Sequence, residues 1–119
     1  MSIDRIDVSS RYSEVAIHNG VVYLAGQVPE DSQQDIQGQT QQVLSMIDRL
    51  LAAAQSDKRQ LLMVTIYLAD LADYTAMNAV WDAWVVAGHA PPRACVQAQL
   101  ADPRWRIEMV ATAAQHVSA

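Results

Sequence analysis

The chain has 119 residues, 51% of them hydrophobic and none of them phenylalanine, with 13 acidic against 8 basic side chains for a net charge of −5. That length suits one domain, 1–119, and the acidic balance opposes adhesion to phosphate backbones or anionic bilayers, so neither nucleic acid nor membrane is an expected partner. A lone cysteine excludes an internal disulfide framework; with no leader pattern and no apolar run of bilayer length, a reducing cytoplasm is the expected setting.

A short strand is expected around Ile3 to Val8. Val15 to His18 and Val21 to Ala25 flank Asn19-Gly20, and Asn-Gly between β-prone runs predicts a hairpin because both positions accept positive φ. After a polar loop, Val43, Met46, Ile47, Leu50, Leu51 and Ala54 recur at helical spacing. They predict a helix from about Gln37 to Ala54 with one buried stripe and one glutamine-rich wet face. Leu61 to Ala69 is almost continuously apolar and β-branched, which reads as a central strand buried on both faces. Asp70 or Asp73 is expected to cap a second helix that runs to about Val86, turns Met77, Trp81, Trp84 and Val85 inward, and stops at Gly88. Pro91 and Pro92 enforce extended chain. Arg93 to Leu100 and Trp105 to Ala114 then read as two strands joined by a turn near Asp102-Pro103.

This order predicts an α+β domain: a mixed sheet with two helices on one face. Two helices leave the other face of an apolar sheet uncovered, so a second subunit is expected against it.

Two charged residues stand out. Arg93 follows two prolines and opens a strand of small, apolar or amide residues; its planar fork suits a carboxylate held by two parallel hydrogen bonds. An ordinary ion pair with a surface acid explains it equally well. Glu108 sits among Ile107, Met109, Val110 and Ala111, where a carboxylate needs partners or stays protonated; a solvent-facing slot on an edge strand is the other reading. If the last two strands form a hairpin, Glu108 lies near Arg93 across the ladder and the two share a pocket. Together they are the minimum equipment for binding a small carboxylate and placing a water beside it. Cys95 shares a sheet face with Arg93, but no histidine within a few positions activates it, so it reads as a small hydrophobe. His18, His89 and His116 are scattered without ligand spacing, and neither a metal nor a phosphate-binding glycine loop is expected.

Taken together, Tyr12-Ser13, Asn19-Gly20, Ala25-Gly26-Gln27-Val28-Pro29, Asp73 to Asn78, Pro92-Arg93-Ala94-Cys95-Val96 and Ile107-Glu108 resemble the RidA family, also called YjgF, over nearly the whole chain. The stretch from Trp81 to Pro91 is similar to a short bacterial branch of it. The resemblance implies a chorismate-mutase-like fold and a homotrimer with sites between subunits. It also implies hydrolysis of reactive enamines and imines, of the 2-aminoacrylate type, to 2-oxo acids and ammonia, without a cofactor. By the same resemblance Arg93 grips the substrate carboxylate, Glu108 orients and deprotonates water, the Cys95 backbone positions the ligand, Tyr12 lines the pocket, and Gly26 and Asn78 lie near it. Ala25 replaces a serine of RidA proper, and Ser10-Arg11 replaces the Gly-Pro usual before the tyrosine. The alternative is a non-catalytic trimeric module that binds 2-oxo acids or related small carboxylates in the same pocket.

Overall fold

The computed structural model describes residues 2–117. In chain order they form β1 (Asp4–Val8), β2 (Ser13–His18), β3 (Val21–Leu24), α1 (Ile36–Ala53), β4 (Leu61–Leu68), α2 (Tyr74–Trp84), β5 (Arg93–Gln97) and β6 (Ile107–Ala114). Asn19 and Gly20 both have positive φ, 53° and 75°, and make the two-residue turn that joins β2 to β3 with His18 opposite Val21.

Helix α1 begins where Asp35 accepts a hydrogen bond from the Gly38 backbone N–H at 2.8 Å, which satisfies one orphan donor of its first turn. Val43, Ile47, Leu50, Leu51 and Ala54 of the expected stripe are buried and Met46 is half-buried, but the glutamine face is not wet throughout. Gln39 is buried with Thr40 and Leu44. Its amide bonds the carbonyls of Ser32, Gln34 and Arg104 at 3.2, 3.1 and 3.2 Å and accepts from Arg106 N–H at 2.8 Å. An amide with both its donor and acceptor ends occupied is a comfortable core residue.

Helix α2 is shorter than expected. A 3-10 turn, Leu71–Asp73, precedes it and is capped by Asp70, which accepts from Ala72 N–H at 2.9 Å; Asp73 makes no side-chain cap and pairs with Arg106 at 3.6 Å. The helix ends at Trp84, because Val85 is already extended, and Gly88 takes its positive φ of 81° in the loop beyond. Met77, Trp81 and Trp84 turn inward as expected. The Trp84 indole N–H donates to Asp48 on α1 at 2.9 Å.

The sheet order is β1-β2-β3-β6-β4-β5, and it overturns the expected terminal hairpin: β5 and β6 do not touch, since β4 lies between them. α2 carries the chain across from β4 to a parallel β5, the connection parallel strands require. β6 then enters the slot between β3 and β4, antiparallel to both. A slot flanked on both sides favours the strand with the cleanest apolar face, and Ile107, Met109, Ala111 and Ala113 are all buried.

Both helices cover one face. Val15, Ile17, Val22, Leu24, Val64, Ile66 and Leu68 join those β6 residues in a continuous core with α1 and α2. β4 is therefore not buried on both faces in the single chain: Val64, Ile66 and Leu68 are sealed, while Thr65 and Tyr67 are half-buried and Met63 is exposed. On that uncovered face Tyr23 is 51% and Val96 44% exposed.

Candidate functional site

Register settles where the two charges lie. Arg93 on β5 sits opposite Val64 of β4, and Glu108 on β6 opposite Tyr67 of the same strand. They are two strands apart and offset by three residues, roughly 10 Å in each direction. Partners across a ladder point to one face. Arg93 thus shares the helix side with buried Val64, whereas Glu108 shares the uncovered side with Tyr67. Within one chain they do not meet over a single small molecule.

Arg93 anchors one group. Pro91 is buried and the Pro92 carbonyl accepts from Val64 N–H at 3.0 Å, which fixes the start of β5. From there the guanidinium reaches α2: Nη1 donates to Asn78 Oδ1 at 2.8 Å and Nη2 to the Tyr74 hydroxyl at 3.3 Å, with the Trp81 ring centroid 5.1 Å from Cζ. Leu71, Tyr74, Arg93 and Cys95 line a cavity of about 420 Å³. Burial pushes the Cys95 thiol above its ordinary value, against a smaller opposing pull from Arg93, so the sulfur stays protonated at neutral pH. The Cys95 backbone is better placed. Pro92 C=O and Ala98 N–H bond to β4; by the alternation of a parallel ladder, the N–H and C=O of Arg93, Cys95 and Gln97 face the free edge.

Glu108 anchors the other group. Its carboxylate lies directly against Gly26, where a Cβ would collide with it and stand 3.0 Å from its Cδ. Paired backbone bonds between Gln27 and Met109, 2.8 and 3.0 Å, clamp that segment beside β6. Tyr12, Ala25, Gly26, Val28, Ala101 and Trp105 complete a cavity of about 330 Å³ with Glu108. Its walls are mostly carbon. Ala25 contributes a methyl group and no hydroxyl. Burial raises the Glu108 carboxyl above its ordinary value of 4.5, which is desolvation of the charged form.

The six residues singled out in the sequence therefore fall into two clusters: Arg93, Cys95 and Asn78 on one, Glu108, Gly26 and Tyr12 on the other. Sequence reasoning missed Tyr74 and Trp105, and took Trp81 for core alone. A signal existed for the first and last, since positions 74, 78 and 81 share one helical face. Trp105 carried none, because the loop before β6 has no period to read. Among the described residues no group of three or more His, Cys, Asp or Glu is arranged to hold a metal, and no helix is long and apolar enough to cross a membrane.

The family model described as Endoribonuclease L-PSP matches residues 2–115. A RutC family protein of Haemophilus ducreyi is 58% identical over 112 residues, covering 94% of this chain and 96% of its own length. The RutC family protein YoaB of Escherichia coli K12 is 48% identical over 114 residues, covering 96% and 99%. Among solved structures, NMB1025 of Neisseria meningitidis, a member of the YjgF protein family, superposes with a TM-score of 0.96 at 47% identity, covering 99% of this chain and 98% of that one.

Proposed function

We propose that this chain, which belongs to the RidA/YjgF/L-PSP family, works as a single domain that hydrolyses reactive enamines and imines of the 2-aminoacrylate type to 2-oxo acids and ammonia. One observation carries the reading: an arginine and a glutamate, neither with an oppositely charged partner among the described residues, open into separate cavities that are each incomplete alone. A cyclic trimer joins the Arg93 cavity of one subunit to the Glu108 cavity of the next, and the exposed face bearing Met63, Tyr23 and Val96 supplies apolar area for the interface.

In the joined site Arg93 holds the substrate carboxylate by two charge-assisted hydrogen bonds, with the outward Cys95 backbone beside it. Asn78 steadies the arginine, Tyr12 walls the opposite side, and Gly26 leaves room for the carboxylate of Glu108. The imine carbon is already electrophilic. Glu108 takes a proton from water as the water oxygen bonds to that carbon and passes it to the nitrogen, giving a carbinolamine; it then takes the remaining hydroxyl proton and delivers it to the nitrogen as the C=O forms and the C–N bond breaks. The products are the 2-oxo acid and ammonia, with atoms and charge balanced and no cofactor consumed. A carboxyl raised by desolvation suits both halves of this transfer, since a base with a pKa nearer neutrality also returns its proton readily.

The test is the hydrolysis rate of 2-aminoacrylate and its imino tautomer, generated in situ by an amino-acid lyase, for wild type, Arg93→Ala and Glu108→Gln. Acceleration lost in both variants supports the deaminase. Binding of 2-oxo acids without turnover by a folded oligomer would replace it with the ligand-binding module. Cleavage of RNA, which the family description names, is opposed by the net charge of −5; retention of RNA at low salt would reopen it.

A further inference from the structure

Among the described residues no carboxylate lies within ion-pair distance of Arg93, and its guanidinium contacts are all neutral. Asn78 Oδ1 and the Tyr74 hydroxyl take its two terminal nitrogens at 2.8 and 3.3 Å. The ring centroids of Trp81 and Tyr74 lie 5.1 and 5.9 Å from Cζ, within cation–π range. Because guanidinium only donates, Asn78 must present its carbonyl oxygen. Arg93 differs from other unpaired arginines in having both terminal nitrogens hydrogen-bonded to neutral side chains, whereas Arg104 pairs with Asp102 at 2.7 Å and Arg106 with Asp73 at 3.6 Å. Asp73 adjoins Tyr74 in sequence, yet its carboxylate turns to Arg106.

We infer that Tyr74, Asn78 and Trp81 are positioning residues that form a neutral cradle, fixing the plane of the Arg93 guanidinium while leaving its charge uncompensated for an incoming planar carboxylate. The inference rests on the reading of Arg93 as the carboxylate anchor, and adds how that anchor is set before the ligand arrives. An acid at any cradle position would neutralise the guanidinium and compete for the same N–H groups. The neutral oxygens and ring faces steady the cation without that competition. An arginine already held in one rotamer also loses less freedom when a ligand docks. Trp81 is buried and packs against Trp84 at 5.4 Å between centroids, so the cradle is fastened to the core while Arg93 reaches the cavity.

Titration calorimetry of 2-oxobutanoate into the assembled protein tests this, beside melting temperatures and imine turnover. Asn78→Asp places a carboxylate at the 2.8 Å contact; we expect 2-oxobutanoate binding to weaken by about 30-fold or more while the melting temperature holds or rises. Trp81→Leu should weaken binding about tenfold and Trp81→Phe should recover most of that, because a ring face is restored. Tyr74→Phe should weaken it by about threefold, with KM rising and kcat nearly unchanged. Wild-type affinity in Asn78→Asp, or losses in every variant that merely follow the melting temperature, would overturn the cradle, as would a wild type that does not bind 2-oxobutanoate. Binding that depends on Arg93 in a protein that hydrolyses no imine would support the cradle while removing the deaminase. Undiminished binding by Arg93→Ala would remove the anchor and the cradle together.

Discussion

Mixing two inactive variants should restore activity. In the proposed site Arg93→Ala removes the carboxylate grip, a truncation expected to cost about 2–5 kcal/mol, or roughly 30-fold and upward. Glu108→Gln removes the proposed general base, an expected loss of about 10²–10⁴. Arg93 and Glu108 point to opposite sheet faces, roughly 10 Å apart both across and along the strands, so in the proposed trimer each site draws one residue from each of two neighbours. When the two variants are refolded together in equal amounts, a site is intact if its Arg93 comes from the Glu108→Gln chain and its Glu108 from the Arg93→Ala chain. Random assembly gives about one half for each condition and about a quarter of sites for both. The specific activity should therefore return to about a quarter of wild type, far above either parent. The fraction does not depend on ring size, so light scattering must count the subunits separately. A second mixture sharpens the assay: wild type with the Arg93→Ala/Glu108→Gln double variant should give about a quarter if sites are shared and about a half if each chain holds its own. No recovery in the first mixture together with a half in the second would refute the shared site.

Four further outcomes follow from the geometry. The Glu108 carboxyl is raised by burial, so kcat/KM should fall on the acid side through a pKa above 4.5, and Glu108→Gln should flatten that limb; a limb at the ordinary glutamate value would contradict it. The same shift has a sign for stability. A carboxyl raised on folding favours the fold while protonated and loses that contribution as pH rises through the folded pKa, so unassembled Glu108→Gln chains should melt above wild type at neutral pH, the gap closing below 4.5. Gly26→Ala would push the Glu108 carboxylate aside while leaving the fold intact, because the displaced atoms end a flexible side chain. We expect kcat to drop at least about tenfold with an unchanged melting temperature, and unchanged kcat would show that the contact is idle. Gln39→Leu strands the Arg106 N–H and three carbonyls; urea unfolding should show a loss of about 1–3 kcal/mol, and wild-type stability would mean water replaces the amide.

Some features needed only neighbours in the chain. Asn19-Gly20 specifies its turn because both residues tolerate positive φ. Most of the α1 stripe and the inward face of α2 follow from a period of 3.6, whereas the nearly continuous apolar run of β4 hid which of its faces lies uncovered in the single chain. Arg93 and Glu108 were legible as charges set in apolar strands, and Gly26 and Asn78 through the family resemblance. Tertiary structure alone decided the rest. Alternation tells which side chains share a face but not which strands are neighbours, so nothing local announced that β6 would pass beyond β5 and settle between β3 and β4. That insertion leaves Arg93 and Glu108 two strands apart. Gln39 looked like surface until the loop from Arg104 to Arg106 folded over it, and Trp81 looked like plain core until β5 brought a guanidinium to its ring. Turns and periods are set by atoms a few residues apart. Strand order and side-chain partners depend on contacts between segments tens of residues distant, whose energies exist only after the chain has closed those loops.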